Sequence, residues 1–130
     1  MVELDYSPVR HRIDSFVQKP TVLTTHVIAA PLVHSFTLPL GIIRHVQIVF
    51  PIGCNRNVVM QIFHHGNQWL PGNLASTFSE MGHSHPIELD VYRDVWEGQT
   101  DFEIRAWGNG ACYCNHAIHV YFTCELSEVL

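Results

Sequence analysis

From about residue 21 onward, apolar and polar residues alternate with a period of two, and no window carries an apolar stripe of helical spacing over three turns. That pattern predicts strands with one face buried and one face wet, so the chain is expected to be all-β. In "HPIELDVYRDVW" Ile87, Leu89 and Val91 fall on one face, while Glu88, Asp90 and Tyr92 fall on the other. "DFEIRAWG" repeats the arrangement with Phe102, Ile104 and Ala106, and "NHAIHVYFTCELS" does so with Ile118, Val120, Phe122, Cys124 and Leu126. In "GIIRHVQIVFP" the same rule sets Ile42, Val46, Ile48 and Phe50 inward, with Arg44 as an exception near the end of that face. Ile43, His45, Gln47 and Val49 are then expected outward.

Between these runs stand residues with turn chemistry: Pro39-Leu40-Gly41, Pro51-Ile52-Gly53, His65-Gly66-Asn67, Pro71-Gly72-Asn73, Glu97-Gly98-Gln99 and Gly108-Asn109-Gly110. About seven or eight short strands with one apolar face each must bury those faces against one another. Two packed antiparallel sheets are the usual solution, which predicts a single antiparallel β-sandwich, jelly-roll-like in type. Residues 1–20 mix charge, proline and isolated apolar residues and do not join the alternation. They are expected to form an extended N-terminal arm ahead of a sandwich domain at 21–130, with Tyr6, Val9, Ile13 and Phe16 as contacts on a neighbouring subunit.

Composition sharpens the picture. At 130 residues there is room for one core, and 47% apolar against 15% charged residues leaves a surface poor in charge, which points to coverage by other subunits. A formal charge of −5 and the lack of any Lys/Arg run argue against nucleic acid as a partner. The N-terminus has no apolar run of signal-peptide type, and no stretch approaches the ~20 apolar residues of a spanning helix, so no membrane partner is expected. Cys54, Cys112, Cys114 and Cys124 are too few and too unevenly spaced for a disulfide framework, and most are expected to be free thiols.

Two clusters have the residue types of a metal site. His83 and His85 share a strand face and, with Glu88, suggest the His-x-His-and-carboxylate arrangement of a cupin, but alternation turns Glu88 to the opposite side. Cys112, Cys114 and His116 also share a face, with a cysteine spacing tighter than zinc sites normally use. Histidines at strand entry and buried thiols account for both sets, so no metal and no cofactor is expected. His26, His34, His45, His64 and His65 are expected at polar surface positions of strands. No nucleophile elbow or phosphate-cradling glycine loop is present, so no catalytic residue is assigned. Trp96 and Trp107 are candidate surface aromatics for a glycan platform or a subunit contact.

The stretch "GIIRHVQIVFPIGCNRNVVMQIFHHGNQWLPGN" resembles small β-sandwich proteins carried by tailed bacteriophages and related viruses. The matching residues are Gly41, Ile42 and Ile43; Phe50, Pro51, Gly53 and Cys54; and Gly66, Gln68, Pro71 and Asn73. "FEIRAWGNGACYCNHAIHVYF" is similar to their closing pair of strands. The resemblance spans about residues 25–126 and departs at Ile52, His65 and Gly72. It implies a non-enzymatic virion protein, a capsid decoration or head accessory protein assembled in a host cytoplasm. Such a protein would self-associate as a homo-oligomer and bind the major capsid or another virion protein. A head-tail connector or tail component, a cupin-like metal-dependent enzyme using His83 and His85, and a glycan-binding module using Trp96 or Trp107 are the alternatives.

Overall fold

Alternation becomes pairing along most of the chain. The computed structural model describes residues 9–23, 25–51, 58–79, 86–108 and 115–129. In them lie β1 (Val9–Gln18), β2 (Thr21–Val22), β3 (Leu32–Thr37), β4 (Gly41–Val49) and β5 (Val58–His64), then β6 (Asn67–Leu70), β7 (Ile87–Val95), β8 (Asp101–Gly108), β9 (His116–Ala117) and β10 (His119–Val129). One sheet has the order β1-β10-β4-β7, the other β3-β8-β5-β6, and β2-β9 forms a short ribbon. Every pairing is antiparallel. Among the eight longer strands the pairs nest: β1 with β10, β3 with β8, β4 with β7, β5 with β6.

The apolar faces of the two sheets make one core. Phe102, Ile104 and Ala106 of β8 and Val120, Phe122 and Cys124 of β10 are buried where alternation sets them. Phe102 is its aromatic centre, with the Phe36 and Phe122 rings at 5.7 and 6.5 Å and the His64 ring stacked on it at 4.1 Å. The His65-Gly66 turn closes the β5–β6 hairpin with positive φ at both residues, 49° and 83°. This is the primed two-residue turn whose twist matches that of the strands it joins.

Three expectations change. Residues 9–18, expected in the arm, are an edge strand that pairs with β10 over its whole length. Their pattern hid this because β1 is amphipathic in an unusual sense: Arg12, Asp14, Phe16 and Gln18 share the face that looks between the sheets, whereas Ile13 and Val17 are exposed. The face of β4 also switches. The register shifts between Ile43 and His45 against β7 and between Thr123 and Cys124 against β10, so Ile43 rather than Ile42 joins Val46 and Ile48 in the core. One extra residue at Arg44 is enough, because the side-chain period is two. Finally, His64 is not a surface residue: it continues the inward series Val58, Met60 and Ile62 and is 2% exposed.

Different contacts close the two flanks of the sandwich. On one, His34 of β3 donates through Nε2 to Oε1 of Gln18 in β1 at 2.8 Å, so these two edge strands face each other. On the other, the Arg93 guanidinium of β7 lies 5.6 Å from the Trp69 ring of β6 and donates from Nε to His64 Nδ1 of β5 at 2.9 Å.

Candidate functional site

The flank formed by β1 and β3 concentrates exposed apolar side chains. Among the described residues, six of the ten large apolar side chains most exposed to solvent, Ile13, Val17, Leu23, Val27, Ile28 and Val33, belong to β1, β3 or the segment joining β2 to β3. Ile28, at 74% exposed, is the tip of that segment. Its described residues are tied by hydrogen bonds: the Leu23 N–H donates to His26 Nδ1 at 2.8 Å, the Ala30 N–H to the Val27 carbonyl at 2.9 Å, and the Gly108 N–H of β8 to the His26 carbonyl at 2.9 Å. This segment presents Val27 and Ile28 to water.

Between β1 and the turn after β3 opens a cleft of about 560 Å³, with Phe16, Leu38, Leu40 and Leu126 along its walls and Arg12 and Asp14 at its mouth. Arg12 Nε and Asp14 Oδ2 are 2.8 Å apart. A second depression of about 380 Å³ lies beside Trp96, against Leu40, Ile42 and Val95. Trp96 is exposed and Trp107 is half-buried.

The residues singled out from sequence fall as follows. Tyr6, His83, His85, Cys112 and Cys114 lie outside the described residues. His116 is buried in β9, opposite Val22 of β2. Glu88 is exposed on the outer face of its sheet, where its Oε1 accepts from Gln47 Nε2 at 3.3 Å. Among the described residues no three His, Cys, Asp or Glu side chains converge on one point. Of the expected subunit contacts, Val9 opens β1, Ile13 is exposed at 60%, and Phe16 packs on the chain's own core. Ile13 and Phe16 therefore face opposite sides of the sheet and cannot meet one neighbour through the same face. Cys124 is a buried free thiol whose pKa is pushed up to about 11, first by burial and then by the Asp14 carboxylate, so it is held as an unreactive thiol.

Two polar arrangements that alternation did not bring out shape the surface. Gln68 organises the segment after β6: its Nε2 donates to the carbonyls of Pro71 and Asn73 at 2.8 and 3.0 Å, and its Oε1 accepts the Ala75 N–H at 3.0 Å. Gln68, Pro71 and Asn73 are thus parts of one turn. The other arrangement is the His64–Arg93 contact. Because Nδ1 accepts from Arg93, the ring proton sits on Nε2, which donates to the Gln99 carbonyl at 2.7 Å. Burial, reinforced by Arg93 and His65 and opposed by the Gln99 hydrogen bond and Asp101, lowers the His64 pKa below its ordinary value.

A histidine with a lowered folded pKa binds fewer protons folded than unfolded, so its contribution is full above the unfolded pKa near 6.5 and is lost as pH falls below it. Wild-type stability, followed by denaturant midpoint, is expected to drop between pH 7 and 5.5. His64→Gln should flatten that slope by up to about 1.4 kcal/mol per pH unit. Equal slopes for the two proteins would show that His64 does not titrate in this range.

No family model matches the chain, and no curated protein matches it either. The class is therefore defined by the fold: an all-β protein of two packed antiparallel sheets.

Proposed function

We propose that the chain is a non-enzymatic structural protein of a virus particle, a capsid decoration or head accessory protein that self-associates and binds the particle's protein lattice. The observation that carries the reading is the set of exposed apolar side chains on β1, on β3 and in the segment joining β2 to β3, which are suited to protein contact. The nested pairing of eight strands supports it, because that is the strand order of a jelly roll, an architecture widely used in viral shells. A sequence with 15% charged residues fits a protein whose surface is largely covered in its working state. The motif residues Gly41, Gln68, Pro71 and Asn73 act here as backbone-shaping groups, in keeping with a scaffold role. The experiment that tests the proposal is the protein composition of purified particles from an infection that expresses the chain.

A further inference from the structure

We propose that β1 is a self-pairing edge: two copies join their β1 strands antiparallel about a two-fold axis at Ile13, fusing two four-stranded sheets into one continuous sheet. The inference rests on the self-associating reading above and specifies its geometry.

A sheet edge offers unpaired N–H and C=O groups, and proteins normally blunt such edges by shortness, proline, bulges, charge or cover. Three of the four edges here are blunted. β6 has 4 residues, and beyond it Phe78 bridges Met60 of β5. β3 has 6 residues and stands between Pro31 and Pro39. β7 carries a register shift and displays the exposed Glu88 and Asp90. β1 differs in length and continuity. It runs for 10 residues without proline, glycine or any break in its register with β10. Among the described residues no strand pairs with its other side. Its inward charges, Arg12 and Asp14, have opposite signs and side chains 52% and 38% exposed, within reach of a partner.

The charges and the exposed Ile13 together favour one register. Residues directly opposite in an antiparallel pair point to the same face, so a symmetric pairing must be centred on a residue for inward to meet inward. Centring on Asp14 sets like charges opposite each other, which is destabilising, and centring on Arg12 does so at the axis while pairing Arg10 with Asp14 on either side of it. Centring on Ile13 sets Arg12 opposite Asp14 twice, engages residues 9–17, and brings the two exposed Ile13 side chains together on the outer face. The strand is thus self-complementary in charge and in apolar surface in this register.

The test uses the full chain and sedimentation equilibrium. Wild type should be a dimer, and Arg12→Asp or Asp14→Arg should each weaken it by roughly tenfold or more, with an unchanged β-sheet circular dichroism spectrum. An equimolar mixture of the two variants should recover association to within a few-fold, because each variant carries the charges that complement the other across the two-fold axis. Neither variant keeps its own Arg12–Asp14 bridge, so recovery can come only from contacts between chains. Ile13→Lys, at an exposed position that touches no core residue, should weaken the dimer as well and serves if a charge variant fails to fold. Variants that associate like wild type, or a mixture that does not recover, would overturn β1 pairing while leaving an oligomeric wild type and the particle role intact. A wild type monomeric at roughly 100 μM would overturn the pairing itself.

Discussion

Phe102→Ala is expected to lower the stability of the folded chain by roughly 4 kcal/mol and its melting temperature by roughly 10–15 °C. Phe102 is 1% exposed, and its ring contacts come from both sheets: Phe36, His64 and Trp69 from its own and Phe122 from the other. Truncation removes the transfer free energy of a buried aromatic and leaves a cavity that strands on both sides are too regular to fill. It also takes away the surface on which the neutral His64 ring lies at 3° to Phe102, so the loss should exceed that of a peripheral change such as Phe78→Ala. Chemical denaturation of the two variants measures this. A Phe102→Ala loss near 1 kcal/mol would mean that the two sheets are not locked at this point.

Gly41→Ala is the second large effect, at roughly 3 kcal/mol. Gly41 starts β4 with φ at 151°, and a Cβ there would overlap the Glu125 carbonyl oxygen of β10 and press on Leu126. Backbone conformation and space both exclude a side chain, and relief would require moving β4 from β10 beside the Arg44 irregularity. Gly66→Ala is the control: φ is 83° but nothing lies within 4 Å of the added methyl, so the strained dihedral acts by itself at about 1 kcal/mol. Comparable losses at the two positions, read from urea midpoints, would contradict the close approach of Gly41 to β10.

Strands that bury one face against a complete neighbour were legible in the sequence. β7, β8 and β10 alternate cleanly because their own inward positions are apolar in succession, Ile87, Leu89 and Val91 in β7, Phe102, Ile104 and Ala106 in β8, and Val120, Phe122 and Cys124 in β10. β1 was not legible, since an edge strand turns only Phe16 firmly into the core and leaves Ile13 and Val17 outward, an inverted pattern that reads as irregular chain. The switch from Ile42 to Ile43 was equally hidden, because a one-residue bulge leaves no compositional mark. His64 was legible in principle: Val58, Met60 and Ile62 lead to it by steps of two, and the polarity of its ring obscured the series. The apolar flank is assembled from residues 13 to 33, in which exposed apolar positions belong to two strands and a tied turn, so no single period reveals it. Of the two expected contacts whose side chains are described, Ile13 stands in solvent and Phe16 packs on the core.

The self-associating virion role is tested most directly by quantitative mass spectrometry of purified, protease-treated particles from an infection that expresses the chain. The structure's apolar flank and charge-poor surface predict that the chain is recovered in the particles at a fixed ratio to the major shell protein, and that the ratio falls when Ile13 and Val33 are both replaced by Lys. Recovery of the chain wholly in the soluble lysate, with none in the particles, would contradict it.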